Sequence, residues 1–326
     1  MNAAVQPVID PTEGLHDFDF LHGHWRVHNR RLRQRLHGCT EWESFEATQY
    51  CMPLLGGMGN TDELRTQAGP VGMSLRFFDL QAQQWQIYWV NPRDGLLQPP
   101  VKGGFINGTG YFEGVDEHEG RPVRVRYTWS GTRAGAPRWE QAYSADGGKS
   151  WETNWVMSFT RTDAAPPAHE PLPTASHDFD FFFGRWKVRN RRLLKSPQNG
   201  NDWEVFEGLQ ICEPLLGGLA NYDELCDADG LPLGLSIHLF DPAAQRWSAY
   251  WVSAQDGWLQ PPVVGGFSDG RGVLEGADTL AGQPVRLRYT WSYLDTPEPR
   301  WQQAHSSDEG RTWETNWIMD YSRVEA

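Results

Sequence analysis

Apolar and polar positions alternate along this chain with a period of two. Residues 124–130 read RVRYTWS, with Val125, Tyr127 and Trp129 on one face and Arg124, Arg126 and Thr128 on the other. Residues 84–90, QWQIYWV, put Trp85, Ile87 and Trp89 together, and residues 151–159 do the same for Trp151, Thr153, Trp155, Met157 and Phe159. Alternation bounded by Gly, Pro and Asp predicts half-buried strands, about ten in each half of the chain. No helical period runs for any length; at most HDFDFL at 16–21 forms a helical turn.

The pattern occurs twice. HDFDFLHGHWRVHNRR near the start returns as HDFDFFFGRWKVRNRR, and SADGGKSWETNWVM returns as SSDEGRTWETNWIM. Trp25 matches Trp186, 161 positions on, and Trp85 matches Trp247, 162 positions on, so one residue enters between Leu225 and Gly234. Each copy holds roughly 150 residues, the size of one domain and too long for a solenoid or propeller repeat. The expected organisation is a lead over 1–14, a first domain over 15–162, a Pro/Ala-rich linker over 163–175 and a second domain over 176–326. About ten antiparallel strands per domain with little helix predict an all-β fold of two tandem up-and-down barrels. The two are expected to pack on each other as a pseudo-dimer.

Composition trims the list of functions. With 29 Lys+Arg against 42 Asp+Glu, the formal charge is −13. That argues against a nucleic-acid or anionic-membrane partner. No stretch reaches the roughly 18 apolar residues of a membrane span, and the N-terminus has no signal-peptide pattern. Cys51 and Cys212 are repeat-equivalent but Cys39 and Cys226 are not, which suits reduced thiols and a cytoplasmic protein better than a disulfide scaffold. No Cys or His spacing suggests a metal, and no nucleotide or Ser-His-Asp motif is present. No cofactor is expected.

Three motifs recur in order: FDF-x-x-G-x-W (18–25, 179–186), PLLGG-x-x-N (53–60, 214–221) and WETNW-x-M (151–157, 313–319). Together they resemble a group of uncharacterised bacterial proteins classed as a domain of unknown function, related to the calycin barrels (lipocalins, fatty-acid-binding proteins, nitrobindins). The resemblance covers both copies and implies a fold rather than an activity. It also implies that Gly23-x-Trp25 packs under Arg161, and Gly184-x-Trp186 under Arg323, closing one barrel end. A nitrobindin-like haem needs an axial His on a late strand; His305 is placed for it, but its counterpart is Tyr143, so haem is not expected. The turn S-x-D-x-G-x-[ST]-W at 144–151 and 306–313 resembles the sialidase Asp-box and is read as hairpin chemistry. QPPV-x-GGF (98–105, 260–267) suggests an edge or a lid over the barrel mouth.

In a closed barrel, polar residues on an inward apolar face mark the cavity. Residues Trp203, Val205, Glu207, Leu209 and Ile211 form an apolar stripe holding one carboxylate, whose counterpart is Glu46. Asn29 and Arg31 follow Trp25 on one face, as Asn190 and Arg192 follow Trp186; Gln141 accompanies Trp139, as Gln303 accompanies Trp301. Asn60 and Asp62, with Asn221 and Asp223, follow the Gly-Gly turn. The expected site is a polar set (Asn29, Arg31, Glu46, Asp62, Gln141; Asn190, Arg192, Glu207, Asp223, Gln303) among Trp89, Trp139 and Trp155, or Trp251, Trp301 and Trp317. Tryptophan walls suit a small apolar or aromatic ligand. The main expectation is a small-molecule binding protein. The alternatives are a cofactor-independent isomerase, cyclase or hydratase with Glu46 or Glu207 as acid/base, and a ligand-free scaffold whose buried Arg–Glu pair only fixes strand register.

Overall fold

The computed structural model describes residues 14–164, 172–196 and 200–324; most of the expected lead and of the linker lies outside them. The first ten strands are β1 (Gly23–Leu32), β2 (Trp42–Leu54), β3 (Gly59–Thr66), β4 (Gly69–Asp79), β5 (Gln84–Val90), β6 (Val101–Ile106), β7 (Thr109–His118), β8 (Arg121–Ser130), β9 (Arg138–Ser144) and β10 (Glu152–Arg161). Each pairs antiparallel with its neighbours in sequence, and β1 pairs with β10 to close the barrel. The second ten repeat this: β11 (Gly184–Ser196), β12 (Gly200–Leu215), β13 (Ala220–Asp227), β14 (Pro232–Asp241), β15 (Arg246–Ser253), β16 (Val263–Ser268), β17 (Arg271–Leu280), β18 (Gln283–Ser292), β19 (Arg300–Ser306) and β20 (Glu314–Arg323), closed by β11 on β20. The all-β class and the two tandem barrels predicted from alternation are the observed fold. Closure matters energetically, because it leaves no strand edge with unpaired backbone groups.

One end of each barrel is plugged by the turn that precedes its first strand. Phe179 packs edge-on to Trp247 at 4.8 Å, and Phe182 to Trp291 at 4.6 Å. Phe18 does the same against Trp85 at 4.9 Å. Trp25 and Trp186 donate their indole N–H to Leu21 O and Phe182 O. Outside, the Arg161 guanidinium lies 3.9 Å over Trp25 and donates to Phe20 O and His22 O; Arg323 lies 4.0 Å over Trp186 with the equivalent carbonyls. The register that pairs Trp25 with Arg161, and Trp186 with Arg323, makes this stack possible. Gly23 takes φ +101°, and a side chain there would meet the Arg161 guanidinium.

Hairpin chemistry fixes the far loops. Asp146 accepts the backbone N–H of Lys149 and Ser150 and the Ser150 hydroxyl, and Arg126 lies 3.8 Å over Trp151. Those bonds hold the exposed Asp146 carboxyl well below its usual range. Asp308 repeats the arrangement with Thr312. The second half of the QPPV-x-GGF segment is not an edge, while its first half is a loop whose Gln260 lines the cavity of the second barrel. That second half is β6 or β16, paired on both sides within the closed sheet. Gly103 is needed there, because a Cβ would strike the Tyr111 carbonyl on the neighbouring strand.

Candidate functional site

The site is built by the inward faces of the second barrel. A cavity of about 220 Å³ lies between the aromatic plug and the open end. Residues opposite each other in an antiparallel pair share a face. Trp186, Val188 and Asn190 point inward, so their partners Gln210, Gly208 and Phe206 do too. β13 then contributes Asp223, β14 Ser236 and His238, β18 Tyr289, and β20 Met319 and Tyr321. Nearer the mouth stand Trp251, Trp301, Gln303, Trp317 and, on β17, Asp278.

The tryptophans are held rigidly. The Trp317 indole donates to Asn190 Oδ1 at 3.0 Å and meets Trp251 and Trp301 edge-on at 5.9 and 5.7 Å. Trp155 donates likewise to Asn29 Oδ1 and meets Trp89 and Trp139. Asn29 and Asn190 are therefore fully buried positioning groups behind a wall. Trp251 lies directly on the backbone of Gly234, where a Cβ would sit 2.0 Å from the ring; Trp89 lies on Gly72 in the same way.

The floor carries the polar chemistry. Asp223 is 3% exposed and accepts from the Gln210 amide. His238 donates from Nδ1 to Asn221 Oδ1 at 2.8 Å, packs on the Phe179 ring at 4.5 Å, and stands 3.6 Å from the Asp223 carboxylate. Burial pushes the Asp223 carboxyl up to about 7, against the hydrogen bonds from Ser236 and Gln210. Burial alone drives His238 down to about 3, so the imidazole is neutral. Burial and the nearby carboxylates Asp278 and Asp223 raise the Tyr289 phenol. Higher up, Gln303 donates to Asn316 Oδ1, Asn316 reaches His305 Nδ1, and His305 Nε2 meets Asp278 at 3.0 Å. Both nitrogens of His305 are thus engaged.

The expected acid/base pair is not part of this site. Glu46 and Glu207 lie on the outer face: the Glu46 side chain is 72% exposed and bonded to His28, its cross-strand partner, and Glu207 faces Arg189. The stripe around Glu207 is outside as well, with Trp203 41% and Val205 53% exposed. Its apolar character suggested an inward face, but closure decides the face, and β12 turns Phe206, Gly208 and Gln210 in. Arg31 and Arg192 find other carboxylates, Glu43 and Glu204, directly across the hairpin, and lie over Trp155 and Trp317. These pairs are half exposed at the mouth, which corrects the expectation of a buried Arg–Glu pair. Asp223, Gln303, Trp251, Trp301 and Trp317 do line the cavity, and Asp62, Gln141, Trp89, Trp139 and Trp155 occupy the equivalent interior positions of the first barrel. Gln210, Ser236, His238, Asp278, Tyr289 and Tyr321 were missed. Asn154 and Asn316 were missed because the register shifts beside them, at a bulge that breaks the alternation.

Among the described residues no group of three His, Cys, Asp or Glu could hold a metal ion, and no helix is long and apolar enough to cross a membrane. All four cysteines are free thiols.

No family model and no curated protein matches the chain. Among solved structures it is similar to a protein of unknown function from the DUF3598 family of Nostoc punctiforme PCC 73102, at 11% identity and TM-score 0.26, covering 95% of this chain and 99% of that one. A double mutant of transferrin binding protein B from Haemophilus parasuis Hp5 matches at 8% identity and TM-score 0.22, covering 93% and 76%. At such scores neither likeness carries a functional argument to this chain.

Proposed function

We propose that the protein binds a small, flat aromatic molecule in the cavity of its second barrel. The observation that carries this reading is the cavity itself: three fixed tryptophans over a floor of Asp223, His238 and Gln210. An apolar cavity of about 150 Å³ accepts benzene, so about 220 Å³ suits one ring with a substituent. The indole walls supply stacking surface and the floor supplies orientation. The Gly-x-Trp and arginine closure of both barrels supports placing them among the calycin-like barrels. Asp223, buried and titrating near neutrality, also supports a second reading in which the bound molecule undergoes proton transfer, with Asp223 rather than Glu207 as the acid/base.

The test is a titration of the intact chain with single-ring and indole-type compounds, read by tryptophan fluorescence and by thermal shift. Binding at a hundred times Kd adds about 2.7 kcal/mol to the stability of the barrel that binds. Leu287→Trp, which pushes an indole into the cavity, should abolish both signals. Retention of binding in that variant would place the ligand elsewhere.

A further inference from the structure

The two barrels carry the same aspartate but different partners for it. In the first, the Arg76 guanidinium donates to Asp62 and, at 2.9 Å, to Asn60 Oδ1, all at a depth where Arg76 and Asp62 are 4% and 3% exposed. In the second, the position of Arg76 is taken by His238, a shorter side chain that burial keeps neutral. Asp223 thereby loses the internal cation that Asp62 has. Among the described residues lining the cavity none is Lys or Arg, whereas two, Asp223 and Asp278, are carboxylic acids. The Gln210 carbonyl oxygen, on a side chain that is 6% exposed, has no hydrogen-bond partner. The cavity therefore offers acceptors and lacks a matching positive charge.

We propose, building on the ligand-binding reading above, that the molecule taken up by the second barrel is an organic monocation: a protonated amine or amidine on a flat apolar body, its nitrogen on Asp223 and the Gln210 carbonyl. In the first barrel the Arg76 guanidinium holds the equivalent carboxylate, Asp62, from within, with Asn60 rather than Gln49 as its second acceptor. A cation at this depth is stabilised by the carboxylate through charge-assisted hydrogen bonds and by the faces of the surrounding indoles. The substituted ring it sits on fits the size of the cavity. An anion would meet the two acids Asp223 and Asp278, and a neutral isostere would leave the carboxylate unmatched.

Benzamidinium, benzamide and benzoate are near-isosteric and differ in charge, so they make the test. Each is titrated into the intact chain by calorimetry, alongside Asp223→Asn and His238→Arg. The expected result is that benzamidinium binds at least tenfold tighter than benzamide and that benzoate does not bind. Asp223→Asn should bring benzamidinium down to the level of benzamide. His238→Arg, which installs the pairing already accommodated in the first barrel, should remove benzamidinium binding while thermal unfolding stays cooperative. If benzamide binds as tightly as benzamidinium, the cation proposal falls and the ligand cavity stands. If neither these probes nor indole binds, both fall.

Discussion

The first barrel neutralises its own centre and the second does not. Arg76 against Asp62 is a buried ion pair with Asn60 as an additional acceptor. His238 against Asp223 is two neutral or half-neutral groups sharing a cavity with a second acid at its mouth. Both barrels share strand order and plug, and nearly every tryptophan; the exchange of Arg76 for His238, beside smaller changes such as Phe159 to Tyr321, separates an interior that carries its own cation from one that does not. A duplicated fold can keep one copy as architecture and free the other for binding, because each barrel buries its own core.

The largest effect that could break this comparison is in the first barrel. Asp62→Asn leaves the Arg76 guanidinium buried without its counter-charge, and should cost about 3–5 kcal/mol. Chemical denaturation of the intact chain measures it; a loss below 1 kcal/mol would mean that the pair is not the structural element described. Asp223→Asn, the equivalent change in the second barrel, orphans no cation.

Its effect should instead depend on pH. The Asp223 carboxyl stands at about 7 in the fold, against 3.8 in the unfolded chain. A raised carboxyl means that the folded state holds the proton more tightly, so this contribution to stability is present below the unfolded value and is lost as pH rises through about 7. Across that window the change is at most about 4 kcal/mol. Stability measured at intervals from pH 4 to 8 should fall more steeply in the parent than in Asp223→Asn. Parallel curves would show that Asp223 titrates normally.

The smallest effects should lie outside the barrels. Glu46→Gln and Glu207→Gln change exposed groups, and each should alter stability by no more than about 0.5 kcal/mol with ligand quenching unchanged. A loss of binding in either would move the site to the outer face.

The sequence made the barrel frame plain because strand alternation, turn residues and the repeat all report on construction. It also placed the Trp walls and Asp62/Asp223, since these follow landmarks such as the Gly-Gly turn that fix their phase. It misplaced Glu46 and Glu207 because an apolar stripe and an inward stripe are distinguishable only once the hairpin register with β1 or β11 is known. β12 carries Trp203 and Val205 outward, against the usual rule. His238 escaped for a different reason. Comparing the copies draws attention to what they share, and His238 matters because it differs from Arg76. Residues 235–240, LSIHLF, are buried on nearly every position, so the face of its polar members could not be read from pattern.

Gly234 has a consequence for what the cavity can admit. The Trp251 indole rests where a methyl group on Gly234 would be, so the wall stands back from the barrel axis by the thickness of a missing atom. Any side chain there would tip the ring inward and narrow the chamber without touching the floor. The width of the opening is thus set independently of the charge beneath it, so a barrel of this design can change the size of its guest by one substitution and the sign of its guest by another.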